Sequence, residues 1–285
     1  MDERRRMLEA NAAAAQFFRR ELLRATGGWP LEYLRAHGAD SVLLPESPWK
    51  FGYAPRTVTN LVDHLHDQGF GFGTLARAGL LDWNEFGEAT DLHRDKLMLM
   101  ARDRRLSGVG FVGIGPDGVA RSVSPVTAIH RPAGVVVGVA EQRELLAHGA
   151  VPVLVDSPMD AIAVSNVSGE FVAVPLCGGG LSTSQAKTLR EFSVSDKVVV
   201  VLSGREAERK QSLEHVGDLA FFFDRVRVVG LGPGESLATL AQKDLGAARV
   251  NDVLENSHPV MAYRSSGRAY IPAQTGDRDP PGPGF

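Results

Sequence analysis

Asp156 and Asp160 stand four residues apart, across the junction between an apolar run ending at Val155 and a helical pattern starting near Met159. If the junction turns tightly the two carboxylates face one cleft, and hard divalent cations such as Mg2+ or Mn2+ bind through oxygen ligands of this kind. The same pair has a plainer use. An Asp before a helix accepts from its first free amides, and one in the first turn favours the positive helix end. Both uses remain open on the sequence.

The densest basic segment is Arg94, Lys96, Arg102, Arg104 and Arg105. Clusters of this type hold a phosphate backbone. Strand alternation is expected to put Arg94 and Lys96 on one face. Asp95 and Asp103, interleaved with the cations, offer the alternative of a neutralised, solvated surface.

Two glycine-rich turns follow. In Cys177-Gly178-Gly179-Gly180-Leu181-Ser182 the backbone amides could receive an anion where a helix opens, although a tight turn with Ser182 as N-cap explains it equally well. Gly230-Leu231-Gly232-Pro233-Gly234 imitates a dinucleotide fingerprint. A true fingerprint lies in the first βαβ unit with an acid at the next strand end. Here the glycines follow the fourth strand of the alternating region and a proline interrupts the loop, so an oxidoreductase is set aside. The histidines are scattered, with no His-x-x-x-His or Ser-His-Asp arrangement.

Apolar spacing predicts helices over residues 7–24, 31–37, 59–68 and 74–78, then strands over 97–100, 109–114 and 135–139. From residue 141 helices and strands alternate regularly: helices 141–148, 159–164, 184–192, 206–222 and 237–243, and strands 151–155, 171–174, 197–202 and 225–231. Such alternation argues for a largely parallel sheet covered on both faces. The expected fold class is α/β, a mixed α+β lobe over residues 1–135 followed by a parallel-sheet domain over 136–264 and a flexible tail over 265–285.

The composition narrows the function classes. In 285 residues, 31 Lys+Arg nearly balance 34 Asp+Glu, so no global basic field exists and nucleic-acid binding would need a local patch. The single cysteine excludes a disulfide framework or a Cys-rich zinc site. No apolar run is long enough to span a membrane, and no signal segment is apparent. A cytoplasmic location is expected.

Several strings occur in a fixed order: Asn11-Ala12, Phe17-Phe18, Tyr33-Leu34, His37-Gly38, Phe51-Gly52-Tyr53-Ala54-Pro55, His64-Leu65, Ala78-Gly79-Leu80, Asp91-Leu92-His93-Arg94-Asp95-Lys96-Leu97-Met98, Gly108-Val109-Gly110-Phe111-Val112-Gly113 and Ser124-Pro125-Val126-Thr127. In this order and spacing the chain resembles the catalytic core of bacterial DnaG-type primases, an N-terminal lobe followed by a Toprim domain. The resemblance implies metal-holding acids at the ends of the Toprim strands. At the first strand end the carboxylate is kept, one methylene shorter, as Asp156, with Asp160 downstream. At a later strand end Ser203 and Arg205 stand where the family has acids, and after the next strand only Glu235 offers a carboxylate. Arg205 is expected to pair with Asp156 or Asp160 in place of a metal, to grip a phosphate, or to be a solvated loop arginine. Glu206 and Glu208 are candidate substitute ligands. Ala120, Ser122 and Val123 replace a run that tends to be Lys-Tyr-Leu-Asn in the family.

The resemblance thus implies a catalytically degenerate primase-like protein of DNA replication or mobile-element DNA metabolism, acting as a nucleic-acid-binding or accessory factor. No cofactor is expected on that reading. Candidate partners are single-stranded DNA and replication or helicase proteins, with no membrane. Because paired cysteines for a zinc module and a helicase-docking domain are not seen, working priming is expected to need other chains. Two alternatives stand beside it: an active primase using Mg2+ or Mn2+, and a protein-interaction module without nucleic acid.

Overall fold

The computed structural model describes residues 3–178, 180–202 and 216–260. Ser203, Arg205, Glu206 and Glu208, most of the helix expected over 206–222, and the tail lie outside the described residues.

Helix α1 (Glu3–Arg24) repeats small and large apolar residues at helical spacing, and buries Met7, Ala10, Ala14, Phe17, Phe18 and Leu22. Its buried face lies on a four-stranded antiparallel sheet of order β1-β4-β5-β6, formed by β1 (Gly52–Ala54), β4 (Lys96–Arg102), β5 (Gly108–Ile114) and β6 (Ala120–Ser122). The approach is close enough that a Cβ at Gly52 would stand 2.4 Å from the Cβ of Phe18, so only glycine fits there. Helices α2 (Trp29–Ala36), α3 (Asn60–Asp67) and α4 (Phe72–Ala78) and a separate hairpin, β2 (Leu81–Trp83) with β3 (Ala89–Asp91), complete this lobe.

Residues 135–139, expected as a strand, form none. Arg102 and Val136 exchange backbone hydrogen bonds of 3.0 and 2.8 Å as an isolated bridge. Gly138 then takes φ +82°, against the ring of Trp49 and out of any ladder.

The second sheet has the order β11-β10-β9-β7-β8, from β7 (Val151–Val155), β8 (Phe171–Pro175), β9 (Lys197–Leu202), β10 (Arg225–Gly230) and the short antiparallel β11 (His258–Pro259). β8, β7, β9 and β10 run parallel. Their valine-rich runs suit strands covered on both sides. Alternation divides the two faces. Val153, Val155, Ala173, Val199 and Val201 join α6 (Pro158–Val167) and the first lobe in one continuous core. Leu154, Val172, Val174, Val198 and Val200 pack instead with Ala186 and Leu189 of α7 (Thr183–Phe192). The chain goes from central β7 to β8 on one side and returns past it to β9 on the other. That reversal is a topological switch point at the carboxyl ends of β7 and β9, the place where open parallel sheets bind ligands.

Candidate functional site

Asp156 stands at that edge, immediately after β7. Its backbone carbonyl accepts from the Cys177 N–H at 3.0 Å, and the Leu176 N–H donates to Val155 at 2.8 Å, so the ends of β7 and β8 are stitched together beyond the strands. Cys177 adopts φ +54° and is buried; burial, with the negative charge of Asp156, pushes its thiol up to about 12. A thiol so protonated is not a nucleophile at neutral pH.

The N-cap of α6 is Ser157, whose Oγ accepts from the Met159 N–H at 3.1 Å with Pro158 behind it. This corrects the expectation that Asp156 caps the helix. Asp160 has only 7% of its surface exposed, and its Oδ1 accepts from the backbone N–H of Ala238 at 2.8 Å. The Leu237 amide and the Ser236 hydroxyl lie close to this carboxyl and favour its charged form. Burial raises its pKa, and those groups together with the Ala238 amide and His37 partly oppose the rise. Asp160 therefore seats the N-terminus of the helix Leu237–Ala241 while standing in the first turn of its own helix, as the plainer reading expects.

Glu235 is engaged as well, with Oε1 2.7 Å from Lys243 Nζ and Oε2 accepting from the Gly232 N–H at 3.2 Å. The Lys243 ammonium holds its pKa below the ordinary value. Among the described residues no three His, Cys, Asp or Glu side chains are grouped to hold a cation. With Asp160 given to peptide amides and Glu235 to Lys243, the described side chains do not fit the oxygen-rich shell of a hard cation. The glycine turn does fit its plainer use: Ser182 caps α7 in a capping box with Gln185, and its hydroxyl donates to Ala133 at 2.5 Å.

The basic segment is divided in space. Asp95 has φ +50° and β4 starts only at Lys96, so Arg94 and Lys96 do not share a strand face. The seven residues of β4 separate Lys96 from Arg102 by roughly 20 Å. At the far end Arg102 reaches Glu141 at 3.4 Å, and Arg104 grips Glu191 through both carboxylate oxygens at 2.6 and 2.5 Å. Arg94 and Arg105 are exposed, and among the described residues neither they nor Lys96 form an ion pair.

Residues 17–116 match the family described as DNA primase catalytic core, N-terminal domain. The chain is 30% identical over 254 residues to a DNA primase of Synechococcus elongatus, across 85% of this chain and 36% of that protein. Its fold superposes on the RNA polymerase domain of Mycobacterium tuberculosis primase DnaG with a TM-score of 0.76 at 25% identity, covering 90% of this chain and 84% of that one. The same mycobacterial domain in complex with double-stranded DNA gives 0.75, also at 25% identity, covering 90% of this chain and 82% of that one. Residues 17–116 are a DnaG-type primase catalytic-core N-terminal domain. The chain spans about a third of the length of the first curated relatives it matches.

Within this DnaG-type lobe the segment from Asp91 to Met98 is scaffold. Asp91 accepts from the Leu61 and Val62 amides at 3.1 and 2.9 Å and so caps α3. Asp95 collects the Trp29 indole N–H at 2.7 Å, the Tyr53 hydroxyl at 2.9 Å and Arg56 at 3.2 Å. His93 is buried against Phe18 and Phe111. Sequence reasoning missed these roles because each partner lies on a different element.

Proposed function

We propose that the chain is a primase-like protein of DNA replication or mobile-element DNA metabolism, whose parallel-sheet half is a Toprim-type domain that has given up metal-dependent catalysis. It acts as a nucleic-acid-binding or accessory factor in the cytoplasm. The boundary between the lobes is placed near residue 135, where the sheet of the first lobe has ended and α5 (Arg143–Ala147) has not begun. No helix among the described residues is long and apolar enough to cross a membrane.

The observation that carries this reading is the commitment of Asp160. A carboxylate seated on the amides of another helix is not offered to a cation, and transfer of a nucleotide by a Toprim-type site needs several such carboxylates. The partner of the proposed function is single-stranded DNA; the double-stranded DNA complex of the mycobacterial relative supports DNA as the class of partner. Arg94, Lys96 and Arg105 are the cations assigned to its phosphates, whereas Arg102 and Arg104 serve the protein's own acids.

The test is binding of oligodeoxynucleotides across a salt series, together with primer synthesis on single-stranded template in Mg2+ or Mn2+. Salt-dependent, metal-independent binding without primer synthesis supports the proposal. Metal-dependent primer synthesis by this chain would establish the active-primase alternative. Neither binding nor synthesis would leave a protein-interaction module.

A further inference from the structure

A cavity of about 520 Å³ lies between α1 and β4 of the first lobe, with Glu141 from beyond the lobe boundary in its wall, and includes neither Asp156 nor Asp160. Ala15, Leu23, Leu99 and Met100 give it apolar walls, and Arg19, Arg20, Arg24, Lys50 and Arg102 surround it with cations. Against these five stand two carboxylates, Glu141 in the wall and Glu21 beside Arg20 and Arg24. The cavity therefore carries a surplus of three positive charges.

The way these cations are held argues for a missing counter-charge. Arg19 donates to the carbonyls of Val42 at 2.7 Å, Phe51 at 3.2 Å, and Leu43 and Leu44 at 3.3 Å. Carbonyls fix its position without neutralising it, and burial lowers its pKa, which marks a disfavoured charge. Arg20 Nη2 rests 3.2 Å from His64 Nε2, and its Nε is buried without a hydrogen bond among the described residues. Lys50 donates to the Pro45 carbonyl at 2.7 Å.

We propose that this cavity binds a nucleoside di- or triphosphate, with the phosphates contacted by Arg20, Arg24 and Lys50 in the field of the carbonyl-bound Arg19, and the base against Leu23, Leu99 and Met100. The volume suits one small organic ligand, and apolar walls with a few convergent polar groups are what such ligands use. A fully ionised diphosphate brings about three negative charges, which matches the surplus.

The test uses ADP as probe, by calorimetry on the full chain. The expected result is saturable one-to-one binding, weakened about tenfold by Arg24→Glu and by Lys50→Glu, since each removes one charge-assisted contact. Both side chains are exposed, so the melting temperature of ligand-free Lys50→Glu should equal that of the parent, and that of Arg24→Glu should fall only slightly, through its lost surface pair with Glu21. Adenosine alone and inorganic phosphate alone should each bind more weakly than ADP, and Asp156→Asn should leave ADP binding intact. Undiminished affinity in both charge reversals, or loss in Asp156→Asn alone, would overturn the assignment. A dodecamer of deoxythymidylate that binds more tightly than ADP and loses affinity in the same two variants would also overturn it, making a strand backbone the occupant.

Discussion

Asp160 separates a scaffold carboxylate from a catalytic one, because the two roles predict opposite responses to the same substitutions. In Asp160→Ala the helix Leu237–Ala241 loses the acceptor for its Ala238 amide, at a place where the lost side chain sat 7% exposed and water does not readily replace it. An amide left buried without a partner costs about 1–3 kcal/mol, a range that already contains the cost of losing a helix-start acceptor. The expected destabilisation is therefore about 1–3 kcal/mol. In Asp160→Asn the shape and one acceptor oxygen remain while the charge goes. Burial raises the pKa of this carboxyl, so its ionised form already costs stability that is present below the ordinary value of 3.8 and lost as pH rises through the raised one. At pH 7 Asn should thus lie within about 1 kcal/mol of the parent. Urea unfolding at pH 7, with EDTA and with Mg2+, measures both variants. If Asn is as damaging as Ala, the fold needs the negative charge itself. If Mg2+ stabilises the parent but neither variant, the carboxylate is a metal ligand, and the scaffold argument fails.

His93 is buried and neutral, with burial, aided by the positive charge of Lys96, lowering its pKa to about 4. Between pH 6.5 and 4 the unfolded chain takes up a proton that the folded one does not, so stability falls with falling pH by about 3 kcal/mol across that window. His93→Gln should flatten this part of the pH profile of unfolding free energy, and an unchanged slope would refute the assignment. Gly52→Ala should destabilise by about 1–3 kcal/mol through the clash with Phe18, read from the urea midpoint. Arg94→Glu and Arg105→Glu should each lower the salt slope of single-stranded DNA binding by about 1, whereas Arg104→Ala should leave that slope alone.

What was legible followed local periodicity. The valine runs of β7, β8 and β9, the long stripe of α1 and the alternation after residue 141 are one-dimensional patterns, and the structure has them where spacing predicts. The three-residue strands β1, β2, β3 and β6 are too short to carry a period, and the helix Gly246–Glu255 was not foreseen. The apolar run at 135–139 has strand-like composition, but the left-handed Gly138 ends any ladder. The site was harder to read for a related reason. Asp156 and Asp160 look like a pair because they are near in sequence, yet Asp160 finds its partner 78 residues away, on a helix that no local pattern connects to it. Arg94 and Lys96 look like a face because they alternate, yet the left-handed Asp95 between them gathers Trp29, Tyr53 and Arg56, and the strand begins only at Lys96. In both cases an acid satisfies donors supplied by distant elements, and no local pattern shows it. A strand-end carboxylate in this fold therefore argues for catalysis only after the amides of the facing helix have been given their acceptors.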